Sequence, residues 1–222
     1  MLGVVLSGSH ARPGMAGPYS DYDVYVVVEP SARWRTRKTA ALDTIVFGLD
    51  DFRGYALPGG PDQWNRYSFA HAPVLLDRLD GEIASLVLAK GTLSPSEADR
   101  LAREVLDAYI NSAYRAAKSR RDGRLAAAHL DGAESVSFFL TTLFATYGRV
   151  RPYNKYLEWE LSEYPLDGSR WDDLLPRLRA ALEGGVEAQH WLSSALAARA
   201  RESGLGDVLD GWGDEVLVVG GW

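Results

Sequence analysis

The segment that decides the fold reads LSGSHARPGMAGPYSDYDVYV and spans residues 6–26. It contains Gly8-Ser9, then eleven residues, then Asp21 and Asp23 at the start of an apolar run. Side chains two apart on a strand point the same way, so we expect both carboxylates on one face. Two carboxylates that converge at the edge of a strand form a site for a hard divalent cation such as Mg²⁺.

Gly8 and Ser9 follow a short apolar run and open a predicted helix. A glycine allows the backbone to approach a phosphate closely, and the first turn of a helix presents free N–H groups to it. A phosphate cradle next to paired carboxylates is the minimal set of groups for metal-assisted attack on the phosphorus of a nucleotide. The segment therefore predicts a site for a nucleotide and a metal.

The remainder of residues 1–90 predicts a small mixed sheet with flanking helices. Short apolar runs bounded by turn residues predict four strands, at 2–6, 24–28, 44–47 and 74–76. The polar and basic stretch 31–41 predicts a surface helix. Asp50 and Asp51 are typical N-cap residues and predict a short helix over 52–55.

From residue 94 the apolar residues recur with the period of a helix. The sequence Ser-Pro-Ser-Glu at 94–97 supplies an N-cap, a proline at the first helical position and a capping-box glutamate. Three more helices are predicted, from apolar stripes at 136–147, closed by Gly148, at 171–182 and at 186–201. We therefore expect an α+β protein, with a mixed-sheet domain over 1–90 and a helical bundle over 91–222.

Composition excludes several classes of protein and site. The 222 residues contain no cysteine, which excludes disulfide scaffolds, thiolate metal sites and cysteine nucleophiles. The longest apolar runs are far shorter than the ~20 residues of a membrane helix, so we expect a cytoplasmic protein. The net charge is −6, and residues 81–222 carry 21 acidic and 16 basic side chains. This charge favours a small or cationic ligand over a nucleic acid, whose binding proteins usually present a basic face.

The pattern at 6–26 resembles the nucleotidyltransferase superfamily typified by DNA polymerase beta. The resemblance implies that Gly8 and Ser9 grip a triphosphate, while Asp21 and Asp23 hold Mg²⁺. It also implies a third metal-binding carboxylate on the next strand. Asp43 begins a β-branched run, so it is assigned as this third carboxylate. It is also assigned as a catalytic residue.

Other residues of the same segment follow from this resemblance or depart from it. Arg12 and Ser20 are assigned to the nucleotide site with Gly8 and Ser9. Ser7 stands where the superfamily usually has an apolar residue. The first predicted strand begins at residue 2, whereas relatives usually carry a helix before it. We therefore expect either a start codon placed too late or a fold without that helix.

A second segment, GRVRPYNKYLEWE at 148–160, is similar to a motif of aminoglycoside adenylyltransferases. It resembles still more closely a bacterial family of nucleotidyltransferase-domain proteins with a helical C-terminal domain. The resemblance implies that Lys155 reaches the triphosphate. Related antibiotic nucleotidyltransferases supply a glutamate as the base; we assign Glu134, three residues from Asp131 at the start of the second predicted helix, with Glu104 as the alternative.

The expected function is Mg²⁺-dependent transfer of a nucleoside monophosphate, AMP from ATP, to a hydroxyl of a small cationic acceptor such as an aminoglycoside. A different class of function is also open. Small nucleotidyltransferases paired with helical domains act as antitoxins that neutralise or nucleotidylate a partner toxin protein. The sequence decides neither the acceptor nor the oligomeric state.

Overall fold

The computed structural model describes residues 1–216. The chain forms two compact units, the first over residues 1–93 and the second from Ser94 onward. The first contains a mixed sheet and the second is built from helices, so the protein belongs to the α+β class, as predicted. The boundary predicted from the sequence, after residue 90, lies three residues before the observed one.

The sheet of the first unit has five strands. These are β1 (Gly3–Ser7), β2 (Tyr22–Val28), β3 (Arg37–Lys38), β4 (Leu42–Gly48) and β5 (Val74–Asp77). Their order is β3-β4-β2-β1-β5, with β2 and β4 parallel and the other neighbours antiparallel. The four predicted strands are β1, β2, β4 and β5, and their observed ends lie within two residues of the predicted ones.

The predicted surface helix at 31–41 was wrong. This stretch contains β3, in which Arg37 pairs with Thr44 and Lys38 pairs with Asp43. The hydroxyl of Thr36 also accepts a hydrogen bond from the Val46 amide at 3.0 Å. The stretch has no apolar stripe with which a helix could dock on the sheet, whereas pairing with β4 satisfies its backbone groups.

Two helices accompany the sheet, α1 (Leu49–Gly54) and α2 (Glu82–Gly91). Gly48 is the N-cap of α1, so Asp50 and Asp51 lie in its first turn, where negative charge is favourable, and not at the cap. The sequence analysis did not predict α2. Apolar residues of the sheet, both helices and the turn before β5 form the core: Val5, Tyr25, Val27, Phe52, Phe69, Ile83 and Val87.

The described part of the second unit contains six helices. They are α3 (Pro95–Arg121), α4 (Leu125–Thr146), α5 (Leu157–Glu163), α6 (Leu174–Leu182), α7 (Val186–Glu202) and α8 (Gly206–Asp210). α3 begins as predicted, because the Ser94 hydroxyl accepts a hydrogen bond from the Glu97 amide. α4 packs against α3, α6 and α7.

α4 ends as predicted but begins earlier. Gly148 follows its last turn with a φ of 67°, the left-handed conformation that a glycine at this position permits. The helix begins at Leu125, so Asp131 and Glu134 lie in its second and third turns and not at its start. Within residues 1–216, no helix combines the length and apolar character that a membrane crossing requires.

Candidate functional site

The register of three strands brings the Gly8-Ser9 turn and the three predicted metal-binding acids to one edge of the sheet. Asp23 of β2 lies beside Asp43 of the parallel strand β4, and Asp21 immediately precedes β2. On the other side of β2, Asp23 pairs with Ser7, the last residue of β1, so the Gly8-Ser9 turn leaves the sheet at the same place. We call Gly8, Ser9, Asp21, Asp23 and Asp43 together the carboxylate edge.

Gly8 lies directly against the carboxylate of Asp23. Its φ is 64°, in the left-handed region that favours glycine. A Cβ at this position would lie 1.9 Å from Oδ2 of Asp23, which no real contact allows. Both the backbone conformation and the neighbouring carboxylate therefore require glycine.

The helix predicted after Gly8 was wrong. The structure has only a 3-10 turn over Ser9–Ala11. The chain becomes extended at Arg12, and Pro13 and Gly14 then start an irregular loop. A three-residue turn has too few aligned peptides to produce the macrodipole of a helix. A phosphate at the carboxylate edge would therefore meet the backbone of a turn.

Arg12 lies in the interior, 2% exposed, under the turn that contains Gly8. Its Nη1 donates to the Gly8 carbonyl at 2.8 Å, and its Nη2 donates to the carbonyls of Tyr67 and Ala70 at 3.0 and 3.2 Å. The guanidinium also lies 4.6 Å from the centre of the Tyr67 ring. These contacts make Arg12 a residue that ties the Gly8 turn to the segment 67–70, which precedes β5.

Two serines of the segment also bond to the protein itself. The buried Ser7 hydroxyl donates to the Ser68 carbonyl at 2.9 Å. This polar side chain therefore has a hydrogen-bond partner in the protein interior. The Ser20 hydroxyl accepts a hydrogen bond from the Gly17 amide at 2.9 Å and closes the turn before Asp21. This hydrogen bond fixes the C-terminal end of the loop between the Gly8 turn and β2.

Lys38 also lies at this site, although it was not predicted from the sequence. Its Nζ lies 3.0 Å from Oδ2 of Asp43. The hydrogen bond and charge of Asp43 raise the pKa of Lys38, and the charges of Asp21 and Asp23 act in the same direction. Pairing of β3 with β4 puts Lys38 beside Asp43. The signal that could have found it was therefore a hairpin at 37–44, not a helix.

The three acids share an edge, but the structure does not converge them on one point. Among residues 1–216, no group of three or more His, Cys, Asp or Glu side chains is gathered closely enough to hold a metal ion. Carboxylate oxygens are the donors that Mg²⁺ prefers, so the chemistry of the set fits that ion. Asp43, however, is paired with Lys38 through Oδ2, so a cation at that carboxylate would compete with the ammonium group.

Lys155 lies in the second unit, in a 3-10 turn over Asn154–Tyr156. Its side chain is exposed, with Nζ 5.2 Å from the centre of the Tyr156 ring. The two arginines that precede Lys155 in this segment form contacts within the protein. Arg149 pairs with the buried carboxylate of Glu160, and Arg151 donates to the carbonyl and hydroxyl of Ser137.

The predicted base, Glu134, is paired with an arginine. Arg115 of α3 lies 3.0 Å from Oε2 of Glu134 and 2.9 Å from Oδ1 of Asp131. The two acids therefore share a face of α4, as their spacing predicted, but one guanidinium holds both. The alternative base, Glu104, is an exposed residue of α3 that lies 3.5 Å from Arg100.

No model of a known protein family matches the sequence, and no curated protein matches it either. An assignment of function therefore depends on the geometry and chemistry of the carboxylate edge.

Proposed function

We propose that the protein is a Mg²⁺-dependent nucleotidyltransferase of the DNA polymerase beta type. It transfers a nucleoside monophosphate, AMP from ATP, to a hydroxyl of a small acceptor. One observation supports this most strongly, the register of β1, β2 and β4. That register brings a glycine turn and three carboxylates to the same edge of the sheet.

The proposed reaction makes and breaks one bond at the α-phosphorus. The acceptor oxygen bonds to that phosphorus, the bond to the bridging oxygen breaks, and pyrophosphate leaves while a base takes the hydroxyl proton. When bound, Mg²⁺ would supply positive charge that neutralises the triphosphate and activates the acceptor oxygen. Asp21, Asp23 and Asp43, which this structure does not gather around one point, would hold the ion in the reacting complex.

Gly8 and Lys38 have distinct parts in this proposal. Gly8 has no Cβ, which lets the Asp23 carboxylate lie directly against the turn that would meet the triphosphate. Lys38 neutralises Asp43 in the free protein. Its side chain is 74% exposed, so it can leave Asp43 without breaking packing contacts, and a divalent cation then competes with it for that carboxylate.

The proposed acceptor is argued from the charge of the protein. The net charge of −6 favours a cationic small molecule such as an aminoglycoside. Glu134 is proposed as the base and Lys155 as a cation for the triphosphate. The ion pairs of Arg115 leave Asp131 and Glu134 with one net negative charge between them, so attraction for a cation there is modest.

The direct test is a transfer assay with ATP radiolabelled on its α-phosphate and Mg²⁺, against a panel of aminoglycosides. We expect a labelled aminoglycoside with the α-label and none with a γ-label. The double variant Asp21→Asn, Asp23→Asn should abolish transfer. Glu29→Gln, an exposed acid just past the other end of β2, is the matched control and should leave transfer unchanged.

Two results would overturn parts of this proposal. Turnover of the double variant within roughly tenfold of wild type would mean that the metal is bound elsewhere, because metal-activated transfer depends on the ligands of the ion. Label on a partner protein encoded nearby, with no labelled aminoglycoside, would exclude the small-molecule acceptor. That second result would favour the antitoxin function.

A further inference from the structure

A cavity of about 370 Å³ lies within the second unit, among α3, α4 and α7. Pockets that bind small molecules have volumes of about 300–1,000 Å³. All the residues that line this cavity belong to the second unit, and none of them is a residue of the carboxylate edge or one assigned to the transfer reaction.

One wall of the cavity is apolar, and a pair of hydroxyl groups lies within it. Ala113, Ala117 and Leu192 supply the apolar surface. The buried hydroxyls of Tyr109 and Ser193 are hydrogen-bonded to each other at 2.7 Å. Burial raises the pKa of Tyr109, which keeps the phenol protonated. Only one of the two hydroxyl protons is used between these groups, so the pair retains a donor for a ligand.

A guanidinium without a counter-charge lies on the same cavity. Arg120 is half-buried and donates to the Gly184 carbonyl at 3.1 Å and to the Gln189 side-chain oxygen at 3.4 Å. Both acceptors are neutral, and among the side chains described over residues 1–214 no carboxylate forms an ion pair with Arg120. The neighbouring Arg121 differs, because Asp122 neutralises it.

His190 lines the same cavity and adds a polar group to its wall. A partly desolvated guanidinium is favourable when an anion accepts its hydrogen bonds, and its fork suits two oxygens of one acid. The cavity therefore combines an apolar wall, a hydroxyl donor and an uncompensated cation.

We propose that this cavity binds a small organic acid. The acidic group is held by Arg120, and the aromatic or aliphatic body packs on Ala113, Ala117 and Leu192. The ligand class is opposite in charge to the cationic acceptor proposed for the transfer reaction. This site would therefore be a second binding site of the protein.

The test uses a matched pair of fluorescent probes on the full chain. Anilinonaphthalene sulfonate carries an anionic group, and N-phenylnaphthylamine has the same rings without it. We expect the sulfonate to bind wild type at a single saturable site. Arg120→Gln should weaken sulfonate binding roughly tenfold to a hundredfold, since hydrogen bonds to charged groups contribute about 1.5–3 kcal/mol. It should leave the neutral probe nearly unchanged.

Three further variants separate charge from packing. Arg120→Lys keeps the charge and should retain more sulfonate affinity than Arg120→Gln. Ala117→Leu fills the cavity and should weaken both probes. Arg100→Gln, an exposed arginine on the same helix, should change neither. Circular dichroism should show that all variants keep the wild-type helix content.

Several results would overturn the proposal. They are the absence of saturable sulfonate binding to wild type, equal weakening of both probes in Arg120→Gln, and equal weakening of the sulfonate in Arg120→Gln and Arg120→Lys. Sulfonate affinity unchanged by Ala117→Leu would also contradict it, because the ligand would then lie outside this cavity.

Discussion

At Gly8, the backbone and a neighbouring side chain impose separate constraints on one residue. The positive φ makes any other residue strained, and the Asp23 carboxylate occupies the place of a Cβ. We expect Gly8→Ala to displace that carboxylate and to abolish Mg²⁺-dependent transfer. The strain alone should lower the free energy of unfolding by about 1–3 kcal/mol. Transfer is measured with labelled ATP and stability by urea unfolding.

Gly14 offers a matched control for the Gly8 prediction. Its φ is 76°, but a Cβ there would have no atom within 4 Å. Gly14→Ala should therefore cost about 1–2 kcal/mol of stability through the backbone alone and leave transfer intact. Equal losses of activity in the two variants would show that contact with Asp23 has no role in the site.

Residues of the carboxylate edge differ in how far the sequence could locate them. Asp21 and Asp23 lie two residues apart at the start of β2, so their closeness is a local property that the sequence alone predicts. The position of Asp43 beside Asp23 depends on the pairing of β2 with β4, which no local pattern predicts. Lys38 was missed because its place beside Asp43 depends on a hairpin of two strands. The interior position of Arg12 likewise depends on carbonyls more than fifty residues away.

At the scale of secondary structure, local sequence patterns predicted the helix ends that are set by nearby residues. The start of α3 depends on Ser94 and Glu97, and the end of α4 depends on Gly148, and each lies within a few residues of the helix it caps. The stretch 31–41 could not be assigned in this way, because its partner is β4. The predicted helix after Gly8 failed because the turn ends within three residues.

The packing of α2 on β1 depends on the absence of a side chain at Gly3. A Cβ there would lie 2.7 Å from Cγ1 of Ile83, which is fully buried. We expect Gly3→Ala to lower the free energy of unfolding by about 1–3 kcal/mol, the usual cost of overpacking a core. In an Ile83→Ala background the same change should cost almost nothing, because the side chain it meets is gone.

A double-mutant cycle measured by urea unfolding gives the coupling energy between these two positions. A cost of Gly3→Ala that is the same in both backgrounds would contradict close packing of α2 on β1. It would leave the backbone of β1 itself as the source of the effect.

At the scale of the whole molecule, Lys90 links stability to pH. Its side chain is fully buried, and its Nζ donates to the carbonyls of Tyr55 and Arg53 at 2.6 and 3.3 Å. Burial, with a smaller contribution from the charge of Arg66, lowers the pKa of Lys90 from 10.5 to about 8. As the pH rises from about 8 toward 10.5, the folded chain releases this proton while the unfolded chain keeps it.

Stability should therefore increase with pH through that window, since the unfolded state binds more protons there. Lys90→Met cannot titrate, so its unfolding free energy should rise less than that of wild type over the same range. Urea unfolding at several pH values measures the difference between the two slopes. Identical slopes would show that the pKa of Lys90 does not change on folding. The comparison with the variant removes titrations that both proteins share.

The organisation of the whole molecule could be predicted from the sequence more fully than the site could. The change from strand-like runs to helical periodicity near residue 94 is a property of composition and spacing, so the α+β class could be predicted. The cavity of the second unit could not, because Tyr109 and Arg120 of α3 and Ser193 of α7 line one cavity only when the two helices pack in the bundle.

The central claim is that the carboxylate edge binds ATP through a divalent cation. Calorimetric titration of ATP into the protein, with Mg²⁺ and then with excess EDTA, tests it most directly. We predict binding only with Mg²⁺, because the carboxylates otherwise repel the triphosphate. Binding should be lost in the double variant Asp21→Asn, Asp23→Asn and kept in Glu29→Gln. Equal affinity in EDTA, or undiminished Mg²⁺-dependent binding by the double variant, would contradict the claim.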